Sequence, residues 1–170
     1  LMDLSPEPSF PIEPRPGSRA LAPGKVQPPP LPPVQHPREA LVRRILAGRG
    51  QTLTLLAAPP GFGKTLTLSH CYEALDSRLV RRCWLTLDAA DRDPTCLMHY
   101  LRFSLEAGGA LTDRELLEPP ACSRPRGQLD RLLGALTASG RCTVLMLDGL
   151  EVLDRGILKD LLLPLLDYAP

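Results

Sequence analysis

Residues 58–65 read Ala-Pro-Pro-Gly-Phe-Gly-Lys-Thr and match the phosphate-loop pattern G-x-x-x-x-G-K-[ST] at every defined position but the first, where Ala58 stands for glycine. The spacing has a chemical reason. Gly61 and Gly63 let the backbone curl so that successive N–H groups, running on into a first helical turn, face one anion. Ala58, Pro59, Pro60, Gly61, Phe62, Gly63, Lys64, Thr65 and Leu66 are therefore the candidate polyphosphate-binding residues. Lys64 is suited to bridge the β- and γ-phosphates, and Thr65 to offer its hydroxyl to Mg²⁺. The ligand implied by these residues is a polyphosphate bound with Mg²⁺.

A magnesium–nucleotide site also needs a carboxylate at the carboxyl end of a neighbouring strand, and the apolar run 143–148 ends in Asp148. Asp148 with Thr65 forms the candidate metal pair, although Asp-Gly is also a common turn dipeptide. Glu151, three residues on, is suited to orient or deprotonate an attacking water, or else to begin a helix as a solvated carboxylate. The candidate catalytic set is thus Lys64, Asp148 and Glu151. Asp88 ends another strand candidate, where a turn or cap role is at least as well supported. His36, His70 and His99 have no ligand at metal-binding spacing. Arg78, Arg81 and Arg82 read as a solvated cluster, and Trp84 as a core anchor.

These residues must be held by alternating strands and helices. Pro37 starts a short amphipathic helix carrying Leu41, Val42, Ile45 and Leu46. Residues 52–58 are a strand candidate, followed by helical spacing at Leu68, Cys71, Tyr72 and Leu75. A second strand is expected at 83–88, then a helix with Leu97, Met98, Leu101 and Leu105 on one face. Residues 108–126 are loop-like with a short helical piece near Glu115, before a helix carrying Leu129, Leu132, Leu133 and Leu136. The run 142–148 lacks alternation, as a central parallel strand covered on both faces would. The pattern predicts an α/β layered domain with right-handed crossovers.

Composition narrows the function. The 170 residues are 44% apolar and 23% charged with a net charge of +1, so a nucleic-acid surface built on phosphate attraction is disfavoured for this segment. Five cysteines without a C-x-x-C pair suggest neither a disulfide scaffold nor a zinc site, and fit reduced thiols in a cytoplasm. The most apolar stretch, 157–166, contains Lys159, Asp160 and Pro164, so no membrane span is expected. The first thirty residues lack the pattern of a secretory signal. Twelve of the twenty prolines precede Arg38, which divides the chain into a leader, 1–37, with little fixed structure, and a folded part, 38–170. The leader reads as a linker or an extended strap laid on the domain, with an SH3-type ligand as the rarer alternative.

Residues 53–65, together with Trp84-Leu-Thr-Leu-Asp-Ala-Ala-Asp-Arg-Asp-Pro94, resemble the nucleotide-binding domain of large LuxR-type transcriptional activators, the maltose-activator-like branch of the STAND ATPases. The Trp-Leu-x-Leu-Asp strand with its Asp-x-Asp-Pro turn is the more diagnostic block. The resemblance spans about Pro32 to Asp148, and Pro37-Arg38-Glu39-x-Leu41 looks like the family's arginine motif, which implies that Arg38 lies near the nucleotide. It implies a three-layer P-loop NTPase of the ASCE/STAND type. By this likeness the chain is an N-terminal part, truncated after the Walker B strand: a further strand, later than Pro170, would lie between the P-loop strand and the Asp148 strand. Without it the segment is expected to be marginal or aggregation-prone.

The function so implied is an ATP-binding switch with slow regulatory hydrolysis in a cytoplasmic, signal-responsive regulator. Its partners would be the nucleotide, other copies through this domain, and DNA only through a C-terminal domain. Where the activators often carry two adjacent acidic residues, this chain has Asp148-Gly149, which looks more like the Asp-Gly-Leu-Asp/Glu form of NACHT-type relatives. The residues alone also permit a metabolic P-loop kinase or ATPase, or a non-hydrolysing interaction module.

Overall fold

The computed structural model describes residues 22–32, 38–111, 124–140 and 142–168. Helix α1, Glu39–Ala47, is followed by α2, Lys64–Ala74, and strand β1, Arg81–Thr86. Helices α3, Pro94–Ala107, and α4, Pro125–Ser139, lead to strand β2, Thr143–Asp148. A last helical run comprises Arg155–Ile157, a π-type turn Leu158–Leu162, and Leu163–Tyr168. Local chemistry sets several of these boundaries. Asp93 caps α3 by accepting the Thr95 amide, and Pro94 and Pro125 occupy the first helical positions of α3 and α4, where a missing N–H costs nothing.

The two strands pair in parallel, with Arg81 opposite Thr143 and Thr86 opposite Asp148. Helices cover both faces, and the pleat sorts side chains between them. Cys83 and Leu85 of β1, with Leu145 and Leu147 of β2, face a large core built from α3, α4 and the last helical run. Trp84 and Met146 point the other way, into a smaller core with Val42 of α1 and Cys71 of α2. The architecture is thus α/β with a small parallel sheet. Among the described residues no helix is long and apolar enough to cross a membrane.

The four helices expected from apolar spacing are present, at Glu39–Ala47, Lys64–Ala74, Pro94–Ala107 and Pro125–Ser139. The faces read for α3 and α4 are the buried ones, whereas in α2 Cys71 is buried with Thr67 and Ser69, and Leu68 and Tyr72 only partly so. Two expectations need correction. Residues 52–58 form no strand, because a strand exists only through a hydrogen-bonded neighbour and β1 and β2 pair solely with each other among the described residues. Leu53 and Leu55 are consequently left 56% and 68% exposed. Within the leader, residues 22–32 are structured: Pro23–Val26 forms a 3₁₀ turn packed on β1 and α3, and Val26 is buried in the larger core. One buried valine and one ion-paired lysine fix a segment whose prolines alone would leave it extended. The helical piece near Glu115, together with His36 and Cys122, lies outside the described residues.

Candidate functional site

The loop 58–63 delivers the chain into α2 through two left-handed glycines, Gly61 at φ 82° and Gly63 at φ 74°. A side chain at either position would be strained, so the glycines are required by backbone conformation. Gly63 is the residue preceding α2, and no side chain caps the helix there. The first-turn amides of α2 therefore have no acceptor within the helix until Thr67 N–H reaches Gly63 O at 2.9 Å. These amides and the positive end of the helix make an anion-favouring locus.

Lys64 folds back on the loop, its Nζ donating to Ala58 O at 2.8 Å and Pro59 O at 3.4 Å. Both acceptors are loop carbonyls, so the ammonium is held next to the glycine turn without a carboxylate partner in these bonds. Arg38 reaches the same turn, donating from Nη1 to Phe62 O at 3.3 Å. The arginine before α1 and the lysine at the start of α2 thus bring two cations to one loop.

Thr65, on the first turn of α2, donates its hydroxyl to Asp148, with Oγ1 at 3.0 Å from Oδ1 and 2.9 Å from Oδ2. Strand β2 fixes the carboxylate: Asp148 is its last residue, and its carbonyl accepts the Leu87 amide at 2.8 Å. The next residue explains the single acid here. Gly149 has φ +83°, and a Cβ on it would lie 2.9 Å from Leu87 O. A second acidic residue directly after Asp148 would be strained in its backbone and pressed against that carbonyl.

Loop, helix start and strand end surround a cavity of about 760 Å³ whose lining includes Gly61, Gly63, Lys64, Thr65, Asp148 and Glu151. This is within the range of roughly 300–1,000 Å³ typical of small-molecule sites. Pro60 and Leu66 also line it, whereas Ala58, Pro59 and Phe62 do not; the first two act through carbonyls that hold Lys64, the third through the carbonyl that holds Arg38. Glu151 sits exposed in the 3₁₀ turn Leu150–Val152, on the cavity wall. Asp88 is absent from that wall. It accepts the Ala90 amide at 2.8 Å and completes a capping box with Asp91.

Two contributors escaped the sequence reading. Ser69, one helical turn beyond Thr65, lines the cavity, yet is 1% exposed and its Oγ has no hydrogen-bond partner in the described structure. Its only sequence signal was a hydroxyl four residues after Thr65, on the same side of the helix. The second is a buried ion pair: Asp91, 0% exposed, accepts from Lys25 Nζ at 2.6 Å and from the Asp88 amide at 2.8 Å. Lys25 also lies 3.1 Å from Asp88 Oδ2 and 4.1 Å from the centre of the Tyr100 ring. Burial alone would push its ammonium pKa down. The hydrogen bonds to Asp91 and Asp88, with the attraction of both carboxylates, outweigh that and hold it above its usual value. The stabilisation from this pair is therefore complete below the ordinary lysine pKa and fades only as pH rises through the raised one.

Comparison with family profiles, with curated proteins and with solved structures gives no match to this chain.

Proposed function

We propose that the cavity binds ATP with Mg²⁺, and that the chain carries the nucleotide-binding switch of a cytoplasmic, signal-responsive LuxR-type regulator with a P-loop NTPase fold. The observation that carries the reading is the meeting of Thr65 and Asp148, distant in sequence, at the start of α2 and beside Lys64. The donor set fits the metal. A hydroxyl and a carboxylate are hard oxygen ligands, and Mg²⁺ characteristically takes one or two protein oxygens and leaves its other positions to water and phosphate. The unpartnered Ser69 hydroxyl adds a polar group with spare hydrogen-bonding capacity to the same cavity.

In this reading the first-turn amides of α2 and Lys64 hold the phosphates, and Arg38 adds positive charge at the loop. Bound magnesium would be held by Thr65 and Asp148 and would neutralise phosphate charge. Glu151, on the cavity wall, would serve as the base for a slow hydrolysis that resets the switch. Self-association through this domain, and DNA contact through a C-terminal domain, belong to the same proposal and rest on the sequence resemblance.

Lys64→Ala in the intact protein tests the site. Its ammonium bonds only two loop carbonyls among the described contacts, so the melting temperature should stay nearly constant while ATP affinity falls by about 100-fold. Unchanged ATP affinity would reject the phosphate assignment.

A further inference from the structure

The leader segment does more than pack on the domain. Beyond the Pro23–Val26 turn the chain continues as Pro28-Pro29-Pro30-Leu31-Pro32, and Pro29, Pro30 and Pro32 belong to the lining of the cavity that also contains Lys64 and Asp148. These prolines are exposed, so their rings are open to solvent and to whatever enters. The cavity measures about 760 Å³ with the strap in place, so the strap walls the site without filling it.

Chemistry separates the two parts of this lining. Proline has no N–H and cannot donate a hydrogen bond to a phosphate, whereas the loop and α2 present amides and an ammonium. The strap suits the part of a ligand that is flat and weakly polar. A saturated proline ring packs against the face of a base by dispersion, which does not depend on which base it is.

The strap is also held in register by charge. Lys25 is 13% exposed at its side chain and bonded to the fully buried Asp91 and to Asp88. Asp88 directly follows Leu87, itself part of the cavity lining. Tyr100 contributes twice, taking the Ala22 amide on its hydroxyl at 3.3 Å and the Lys25 ammonium on its ring. Ordering these residues before the ligand arrives removes a cost that binding would otherwise bear.

We infer that the strap 28–32 forms the wall against which the nucleoside part of the bound nucleotide packs, and that Lys25 is the positioning residue that holds it there. The inference rests on the phosphate reading of the site and adds to it a separate subsite on the leader.

The test compares two ligands in the intact protein with Mg²⁺ present: ATP, and inorganic tripolyphosphate, which has the phosphates without the nucleoside. Wild type should prefer ATP. Lys25→Ala and, separately, the exposed-site change Pro30→Ser should weaken ATP by about tenfold while leaving tripolyphosphate unchanged, and Lys25→Arg should recover most of the ATP affinity. The Pro30 variant breaks no ion pair, so it keeps the experiment decisive should Lys25→Ala unfold. Equal losses for both ligands, or no loss for either, would overturn the proposal. A wild type that binds tripolyphosphate as tightly as ATP would overturn the strap subsite alone. One that binds neither would overturn the phosphate reading and the subsite together.

Discussion

The two faces of the β1–β2 sheet are built to different standards. One carries a broad core in which Leu97, Met98 and Leu101 of α3, Leu129 and Leu132 of α4, and Ile157 and Leu161 of the last helical run close over Cys83 and Leu85. The other rests on six buried residues, Val42, Cys71, Leu75, Val80, Trp84 and Met146, with Ile45, Leu46, Leu68, Tyr72 and Val144 partly buried around them. The candidate site belongs to the weaker face, because α2 supplies Lys64, Thr65 and Ser69 and packs there. Elements that must yield to a ligand are commonly drawn from the less stable parts of a fold. The lesson is that the site's rigidity comes from a few anchors: Trp84, the β2 end at Asp148, and the glycine loop.

Trp84 carries most of that burden. It is fully buried, meets Tyr72 edge-on at 6.1 Å between ring centres, and donates from Nε1 to Thr86 Oγ1 at 2.8 Å. Arg82 caps the arrangement, donating to Tyr72 O at 2.9 Å and stacking over its ring. The largest expected effect is therefore Trp84→Ala, a loss of about 3–5 kcal/mol in unfolding free energy, read by denaturant titration. A loss below about 1 kcal/mol would show that this face is not organised around Trp84.

Two buried thiols sharpen the contrast kinetically. Cys71 lies in the smaller core and Cys83 in the larger, and burial pushes both thiols up, Cys83 to about 12. Near pH 8 both are protonated in the closed state, so alkylation requires local opening, with reactivity gained as pH rises toward the thiol pKa of the opened form. Among these described cysteines, mass-resolved labelling should modify exposed Cys142 before Cys71, and Cys71 before Cys83. Equal rates for Cys71 and Cys83 would break the comparison.

Much of this was legible from sequence, and the gaps have physical causes. Helices were readable because their apolar spacing is local: the faces of α3 and α4 follow directly from residue order. The glycine turn in 58–65 and the strand end at Asp148 were readable because both follow local patterns, and the structure brings Thr65 and Asp148 together. Strand pairing is non-local, which is why the apolar run 52–58 reads as a strand although no described strand lies beside it. The leader was read only as far as a linker or a strap laid on the domain, and what fixes residues 22–32 was missed for a similar reason. Its prolines dominate composition, while its attachment depends on Lys25 meeting Asp91 across the fold, a pairing that nothing in either segment announces.

The smallest effect is expected at that unpaired segment. Leu53→Ser and Leu55→Ser remove exposed apolar side chains and should change stability by no more than about 0.5 kcal/mol, while lowering self-association measured by light scattering. A stability loss of about 2 kcal/mol would mean that both leucines are buried in solution.

The central claim is that the loop after residue 58 and the end of β2 together hold a magnesium polyphosphate. Calorimetric titration of ATP into the intact protein, with and without Mg²⁺, in wild type and in Asp148→Asn, tests it most directly. The account predicts binding that Mg²⁺ tightens in wild type and a loss of that tightening in the variant. ATP binding that is absent, or that responds to Mg²⁺ equally in both proteins, would contradict it.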